Sequence, residues 1–410
     1  MKNYDYKIKS IKNKFGKYNS NELDFVLNVI DDKTKNINYV QKLEDDFCKK
    51  FKVKYSIACN SGTSGLHASL AAIGVGKGDE VIVPAYTVVM DAYATIHLGA
   101  KPIFADIDKD TFLVTAETIK KKITKKTKAI MLVSMHGLPV DIDPIKRLAK
   151  KHNIFIVEDN AQEFFGLYKN KISGTLGDIG VWSFENKKHL SGASEGGIIS
   201  TNSKILATKI RKFAGIGYKN MTASGGRTSL AIEKVQDPDY ERFDTVGLNY
   251  RMPQIVAAVC YAQFKRFKKI VNNRIKVAKL FREAIKNCDW LVEQKTPKDC
   301  KHTYYTYAFK YLGHKAIGVK WKEFYREYKK MGGDGFYGAC VCPHQEPSIK
   351  EFFKKKSWRI NSSPSAEKIQ KQVMQFKTNY RNLTIAKRKA NLLNKLIKKL
   401  EVKKYSNSRF

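Results

Sequence analysis

Residues Tyr55–Val75 read YSIACNSGTSGLHASLAAIGV. YSIAC is a short apolar run of strand type, NSGTS supplies small and hydroxyl residues, and GLHASLAAIGV has the composition and spacing of a helix. The same succession recurs downstream: EVIVP (80–84) precedes VVMDAYATIHLGA, PIFADI (102–107) precedes the helical ETIKKKI, and AIMLVS (129–134) precedes DPIKRLAKKH. IFIVED (154–159), GVWSF (180–184) and GGIIS (196–200) complete seven buried-type strands. Apolar strands alternating with helices predict an α/β fold, a mostly parallel sheet covered by helices. Upstream, LDFVLNVI and VQKLEDDFCKKF have helical spacing and form a helical lead. Residues 214–247 are polar and glycine-rich and read as a long loop. A second, smaller region follows from about residue 268, opening with RIKVAKLFREAI and closing with the basic amphipathic NLLNKLIKKLEVKK, read as a packed terminal helix. The expected organisation is a large domain over 1–267 and a small C-terminal domain over 268–410.

Composition narrows the partners. The 410 residues carry 76 basic against 39 acidic side chains, a net charge of +37. Such a balance suits nucleic acid or a membrane surface, or a lysine-rich solvated surface that attracts small anions. Lysine far outnumbers arginine and the first arginine is Arg147. Arginine forks interleaved with aromatics, the usual nucleic-acid signature, are not evident, so no nucleic-acid partner is expected. No apolar run approaches the ~20 residues that span a bilayer, and the polar MKNYDYKIKSIKNK has no signal-peptide core; no membrane partner is expected. Seven cysteines form no paired framework, which fits a reducing, cytoplasmic setting. Cys340 and Cys342 near His344 fall short of a zinc set, and no metal is expected.

Three segments carry chemistry. NSGTSGLH (60–67) places hydroxyls and outward backbone N–H groups at a helix start, which suits a phosphate or is simply an N-cap. IFIVEDNAQ (154–162) puts Asp159 at a strand end, where a carboxylate holds a pyridine nitrogen protonated or merely faces water, and Gln162 beside it. VWSFENKKHLSGASEGG (181–197) ends a strand and then supplies lysines, as a Schiff-base amine near the other two sites requires. GVGKGDE sits between helix and strand, the wrong context for a dinucleotide loop, and no Walker A sequence is present.

In this order these segments, with GDEVIVPAYT, AKPIFADIDKDTF, HGLPVDIDPI, GDIGVWSF, SEGGII and GLNYRMPQ, closely resemble the DegT/DnrJ/EryC1/StrS aminotransferases, the sugar branch of fold-type I pyridoxal-phosphate enzymes. The resemblance runs from about Asn21 to Phe267. It implies a cofactor, pyridoxal 5′-phosphate, held as a Schiff base on Lys188 and cycling through pyridoxamine phosphate. It implies that Asp159 pairs with the ring nitrogen, Gln162 meets the phenolic side, Tyr86 stacks on the ring, and Gly62, Thr63, Ser64 and Ser183 hold the phosphate. Asn249 would reach the phosphate of a neighbouring subunit, hence a homodimer. The implied substrates are L-glutamate, or L-glutamine, and a nucleotide-linked keto sugar.

The chain departs from the pattern in two places. Counting forward from Phe184 selects Lys188, whereas counting back from Glu195 lands on His189; Lys187 is adjacent. The string KHL puts the extra residue later, in SGAS. A histidine at position 189 acting in the lysine's place would make the chain a pyridoxamine-dependent keto-deoxysugar dehydratase, and a non-enzymatic basic binding protein is the distant alternative. Glu163–Phe165 stand where the family commonly has a histidine.

Overall fold

The computed structural model describes residues 20–31, 37–225, 232–335, 342–380 and 382–407. Its centre is a seven-stranded sheet: β1 (Tyr55–Cys59), β2 (Glu80–Pro84), β3 (Lys101–Ala105), β4 (Thr127–Val133), β5 (Phe155–Asp159), β6 (Ile179–Ser183) and β7 (Gly197–Thr201), in the order β1-β7-β6-β5-β4-β2-β3. From β3 to β6 neighbours run parallel; β7 is antiparallel to both β6 and β1. The apolar runs are strands because both faces are covered, which removes the need for in–out alternation. Helix α3 (Gly62–Ile73) lies directly on the sheet: a side chain at Gly65 would come 2.8 Å from Val181 Cγ1. Parallel strands bring their C-terminal ends to one edge. Val133 of β4 and Val181 of β6 both pair with Asp159, so that acid ends the middle of the sheet.

Glu158, one residue earlier, points the opposite way. Its carboxylate accepts the backbone N–H groups of Gly174, Leu176 and Gly177 at 2.6–2.8 Å and anchors the loop before β6. Period-two geometry thus gives consecutive acids different work.

The helical lead, α1 (Ser20–Ile30) and α2 (Tyr39–Phe51), packs with α7 (Gln254–Phe264; α4–α6 are Met90–Ile96, Ile142–His152 and Lys204–Ala214) in an aromatic cluster around Phe47, Phe51, Phe164 and Trp182. α2 also carries Glu44 inward. There Arg211 of α6 grips it bidentately, at 3.2 and 3.0 Å, and donates further to the carbonyls of Ser56 and Ala223.

The second region contains a three-stranded antiparallel sheet, β8 (Leu291–Glu293), β9 (Thr306–Tyr311) and β10 (Val373–Lys377), flanked by α8 (Phe267–Ile285) and α9 (Leu383–Asn407). α9 is the packed helix expected from its pattern, burying Leu393, Leu396, Ile397 and Leu400 at three- and four-residue spacing. α8 begins at Phe267, seven residues before the run RIKVAKLFREAI that announces it. The region does not pack wholly by itself. Ile349, Phe353, Ala366 and Ile369 join the core of the large sheet, covering its edge strand β3, with Phe353 and Phe104 rings 6.0 Å apart. An exposed strand edge invites unwanted pairing, and covering it removes that hazard.

Within residues 214–247 a short helix, Ile232–Gln236, follows residues outside the described set. Cys340 also lies outside the described residues, and no group of three metal-ligating side chains occurs among those described. Among the described residues no helix is long and apolar enough to cross a membrane.

Because the Glu44–Arg211 pair is almost fully buried, with side-chain exposures of 4% and 6%, removing one partner strands a charge in the interior. Glu44→Ala is expected to cost about 3–5 kcal/mol, measured by urea unfolding. A loss below about 1 kcal/mol, the level of a surface pair, would contradict this placement.

Candidate active site

The C-terminal ends of β1, β2, β4, β5 and β6 supply the site. After β1 the chain turns into α3 through a reciprocal cap: Ser61 Oγ accepts the Ser64 N–H at 3.1 Å, and the Ser61 N–H donates to Ser64 Oγ at 3.1 Å. Ser64 Oγ also donates to Asn60 Oδ1 at 2.6 Å. The Ser64 hydroxyl is therefore occupied in holding the turn. Thr63 is half-buried and its hydroxyl makes no hydrogen bond to a described residue. Gly62 lies against the end of β6, where an added Cβ would come 2.8 Å from Ser183 Cβ. The bare backbone of Gly62 thus lets the start of α3 lie beside the Ser183 hydroxyl, a polar cradle whose donors suit a phosphate. Ser183 Oγ accepts the Glu185 N–H, at 3.2 Å.

Asp159 is 3% exposed. Its Oδ1 accepts the Ala161 N–H at 2.8 Å. Burial pushes its carboxyl above the usual carboxylate range, while the Ala161 N–H, a hydrogen bond from Asp91 and the positive charge of Lys188 oppose that. A nearby cationic ring nitrogen would compensate the same charge. Gln162, also buried, accepts the His136 N–H on Oε1 at 2.9 Å. That bond orients the amide and leaves its two N–H donors for another acceptor. His136 sits after β4 with φ 61°. Its ring is fully buried between the Tyr86 hydroxyl (3.2 Å from Nε2) and Thr306 Oγ1 (3.1 Å from Nδ1), and burial lowers its pKa to about 3.

The role expected of Tyr86 requires correction. Its ring is completely enclosed, edge-on to Phe112, with its phenol on His136, and it has no face open for stacking. An aromatic with a polar tip is well accommodated in a core that satisfies the hydroxyl. The residues that keep some exposed surface just after it are Val88, Val89 and Met90.

Lys188 lies in the turn after β6, its N–H bonded to the Glu185 carbonyl at 2.9 Å. Nζ is 4.8 Å from the centre of the Tyr305 ring and within electrostatic range of Asp159 and Asp91. Its backbone is clamped from the second region: Arg274 of α8, 1% exposed, donates to the carbonyls of Lys187 and Lys188 at 3.1 and 2.9 Å, and to Tyr305 O and Thr378 Oγ1. His189 is buried, its Nε2 3.1 Å from the Thr303 carbonyl and its ring 6.4 Å from that of Tyr305, and Lys187 is exposed. Downstream, Ala193 takes φ 71° within SGAS.

Asn249 is exposed, its backbone bridged to Gly215 and its Oδ1 accepting Arg251 Nε at 3.0 Å. It is not part of this cluster within one chain. Exposed apolar side chains lie near it in sequence: Val246 is 96% exposed, Phe243, Ile255 and Leu248 between 52% and 43%. Asp91, Arg274 and Tyr305 were not anticipated from sequence. No motif marks them; Arg274 lies far along the chain and reaches the site only through folding.

The cradle, the buried acid and the facing amine fit a phosphorylated pyridine aldehyde in charge and in arrangement. Residues 18–384 match the model of the DegT/DnrJ/EryC1/StrS aminotransferase family. The chain belongs to this family. It is a pyridoxal-phosphate-dependent sugar aminotransferase. It is 38% identical over 269 residues to the GDP-perosamine synthase of Escherichia coli O157:H7, covering 65% of this chain and 68% of that protein. It is 39% identical over 251 residues to the GDP-perosamine synthase of Caulobacter vibrioides, covering 60% and 62%. The chain thus spans about two thirds of the length of these relatives. An aminotransferase structure from Psychrobacter cryohalolentis superposes with a TM-score of 0.82 at 25% identity, covering 94% of this chain and 98% of that one.

A methyl group at position 62 would press on Ser183 and push α3 from the end of β6. Gly62→Ala is expected to weaken pyridoxal-phosphate binding by about 10-fold or more, in line with the ~1–3 kcal/mol cost of overpacking, as read from cofactor titration. Unchanged affinity would remove the cradle from the site.

Proposed function

We propose that this aminotransferase moves an amino group from L-glutamate, or L-glutamine, to a nucleotide-linked keto sugar, with Lys188 as its catalytic amine. The observation that carries this reading is the Lys188 ammonium, held in the field of Asp159 by the Arg274 clamp on its backbone. The relatives named GDP-perosamine synthase support a GDP-linked sugar as acceptor, and the surplus of basic side chains suits its diphosphate.

Pyridoxal phosphate supplies an aldehyde for imine formation and a ring that withdraws electrons when its nitrogen is protonated. Asp159 keeps that nitrogen protonated, its burial making the ion pair strong. Gln162, turned by the His136 N–H, offers its amide hydrogens to the ring's phenolic oxygen. Gly62 and Thr63 donate backbone N–H groups and Ser183 its hydroxyl to the phosphate, and Ser64 maintains the turn that presents them. Lys188 Nζ would hold the aldehyde and would serve as the base that takes up and returns the proton of the donor's α-carbon. Chemistry of this kind is ping-pong: amino donor first, keto sugar second.

The surface near Asn249 supports a homodimer. Four exposed apolar side chains near in sequence to a polar residue that has no role in its own subunit's cluster support an interface through which Asn249 reaches the partner's phosphate site. The free cysteines among the described residues support a reducing, cytoplasmic location. The engagement of His189 with Thr303 disfavours the dehydratase reading, in which that ring would have to face the substrate.

Lys188→Ala is expected to lower labelled-glutamate transfer to a GDP-linked keto sugar by about a thousandfold or more, and to abolish the borohydride-fixed cofactor adduct. Lys187→Ala and His189→Asn should keep the adduct; its loss in Lys187→Ala, with retention in Lys188→Ala, would reassign the amine, and its absence from wild type would favour the His189 dehydratase reading. Val246→Asp is expected to convert the dimer to monomer in light scattering and to lose cofactor affinity. A monomeric wild type would contradict the shared site.

A further inference from the structure

Lys188 is half-buried in the turn after β6. Among the described residues no hydrogen bond or ion pair reaches its Nζ, and the contact that Nζ makes is with the face of the Tyr305 ring, 4.8 Å from nitrogen to ring centre. Other lysines of this chain end on an acid instead: Lys128, Lys169, Lys212 and Lys310 each bring Nζ within 2.5–3.1 Å of an aspartate oxygen. Tyr305 stands just before β9, in the second region, and is 8% exposed. A cation over an aromatic face is attracted by the negative face of the ring, and the attraction grows as water is removed. Nothing in the amino-transfer chemistry set out above uses this ring.

One buried group sets the distance between amine and ring. Arg274 Nη1 donates to the Tyr305 carbonyl at 2.7 Å, and Nη2 donates to the Lys188 carbonyl at 2.9 Å. The Thr378 hydroxyl also donates to the Tyr305 carbonyl, at 2.9 Å. The two residues are 117 positions apart in sequence, yet a single rigid fork ties their backbones together. The kind of partner matters as well. A carboxylate in contact with an ammonium strongly favours the charged form, and an amine attacks an aldehyde only when neutral. An aromatic face attracts the cation more weakly than a contacting carboxylate does, so it can fix the amine's place while leaving the proton easy to lose.

We propose that Tyr305 is a positioning residue, whose ring face holds the Lys188 amine whenever that amine is not joined to the cofactor. That Lys188 is the reacting amine rests on the function proposed above. A lysine side chain is long and has many rotamers, and a free one would leave the site much of the time. The ring confines Nζ to one place, from which it can take up a proton and return. Tyr305 therefore acts in the steps during which the lysine is free. Its loss is felt in kcat, and cofactor affinity, set by the cradle and by Asp159, is left largely alone.

The test labels the full-length protein, freed of cofactor, with acetic anhydride at neutral pH. Mass spectrometry reads acetylation at position 188 against the exposed Lys187 as internal reference. Tyr305→Leu removes the ring and should speed acetylation of Lys188 about 3-fold or more, whereas Tyr305→Phe keeps the face and should stay within about 2-fold of wild type. With pyridoxal phosphate restored, Tyr305→Leu should lower kcat for glutamate-dependent amino transfer about 10-fold and keep cofactor affinity within about 3-fold, and Tyr305→Phe should restore kcat. Equal impairment in Tyr305→Phe would assign the effect to the hydroxyl and overturn the proposal. So would unchanged acetylation in Tyr305→Leu, or a loss confined to cofactor affinity. A measurement on wild type alone guards against a variant that does not fold: in protein carrying 13C-lysine, the ε-methylene protons of Lys188 should lie upfield of those of Lys187 through the ring current of Tyr305. The absence of that shift defeats the proposal. If Lys188→Ala keeps the borohydride-fixed adduct, the proposed function falls, and acetylation and ring shift still decide the contact separately.

Discussion

A carboxylate buried at the end of a central strand has to be compensated, and the site is organised around that requirement. Asp159 ends β5 in the middle of the parallel sheet, flanked by Val133 and Val181. Water is excluded there, so its charge must be met by fixed groups: the Ala161 N–H, the Asp91 carboxyl and the Lys188 ammonium. A low-dielectric setting makes each of these strong, and makes the absence of any one costly. A ring cation is the further partner that such an acid is suited to hold.

The amine opposite the acid owes its position to the rest of the chain. Turns are weakly constrained by their own residues, and Lys188 lies in a turn. Arg274, buried in α8, donates to two successive carbonyls of that turn and, through Tyr305 O and Thr378 Oγ1, to β9 and the stretch just beyond β10. The second region therefore helps to hold the turn that carries Lys188. Its helices also cover the edge strand β3, so the two regions share a core as well as a site.

Much of this was legible in residue order. Strand–turn–helix repeats indicated the seven-stranded sheet, because strands buried on both faces appear as unbroken apolar runs. The Asp159 and Gln162 pair was legible because strand ends and their following turns are contiguous in sequence. Tyr86 was misread, since a sequence places an aromatic near a site without saying which way its ring turns; here the ring points into the core toward His136. Ser64 was assigned to a ligand, whereas its hydroxyl closes the helix cap.

What the chain's order determined by itself was local: which segments become strands, where helices begin, and which side chains stand at the strand ends, all governed by spacing within a few residues. The resemblance already favoured Lys188 over Lys187 and His189, but a shift of one residue in a turn leaves the pattern nearly unchanged. How the three side chains are turned is a matter of tertiary contacts. The Arg274 clamp, the Thr303 carbonyl that takes His189, and the Tyr305 ring beneath the ammonium come from positions at least 84 residues away in sequence, and the direction of each side chain in the turn depends on them.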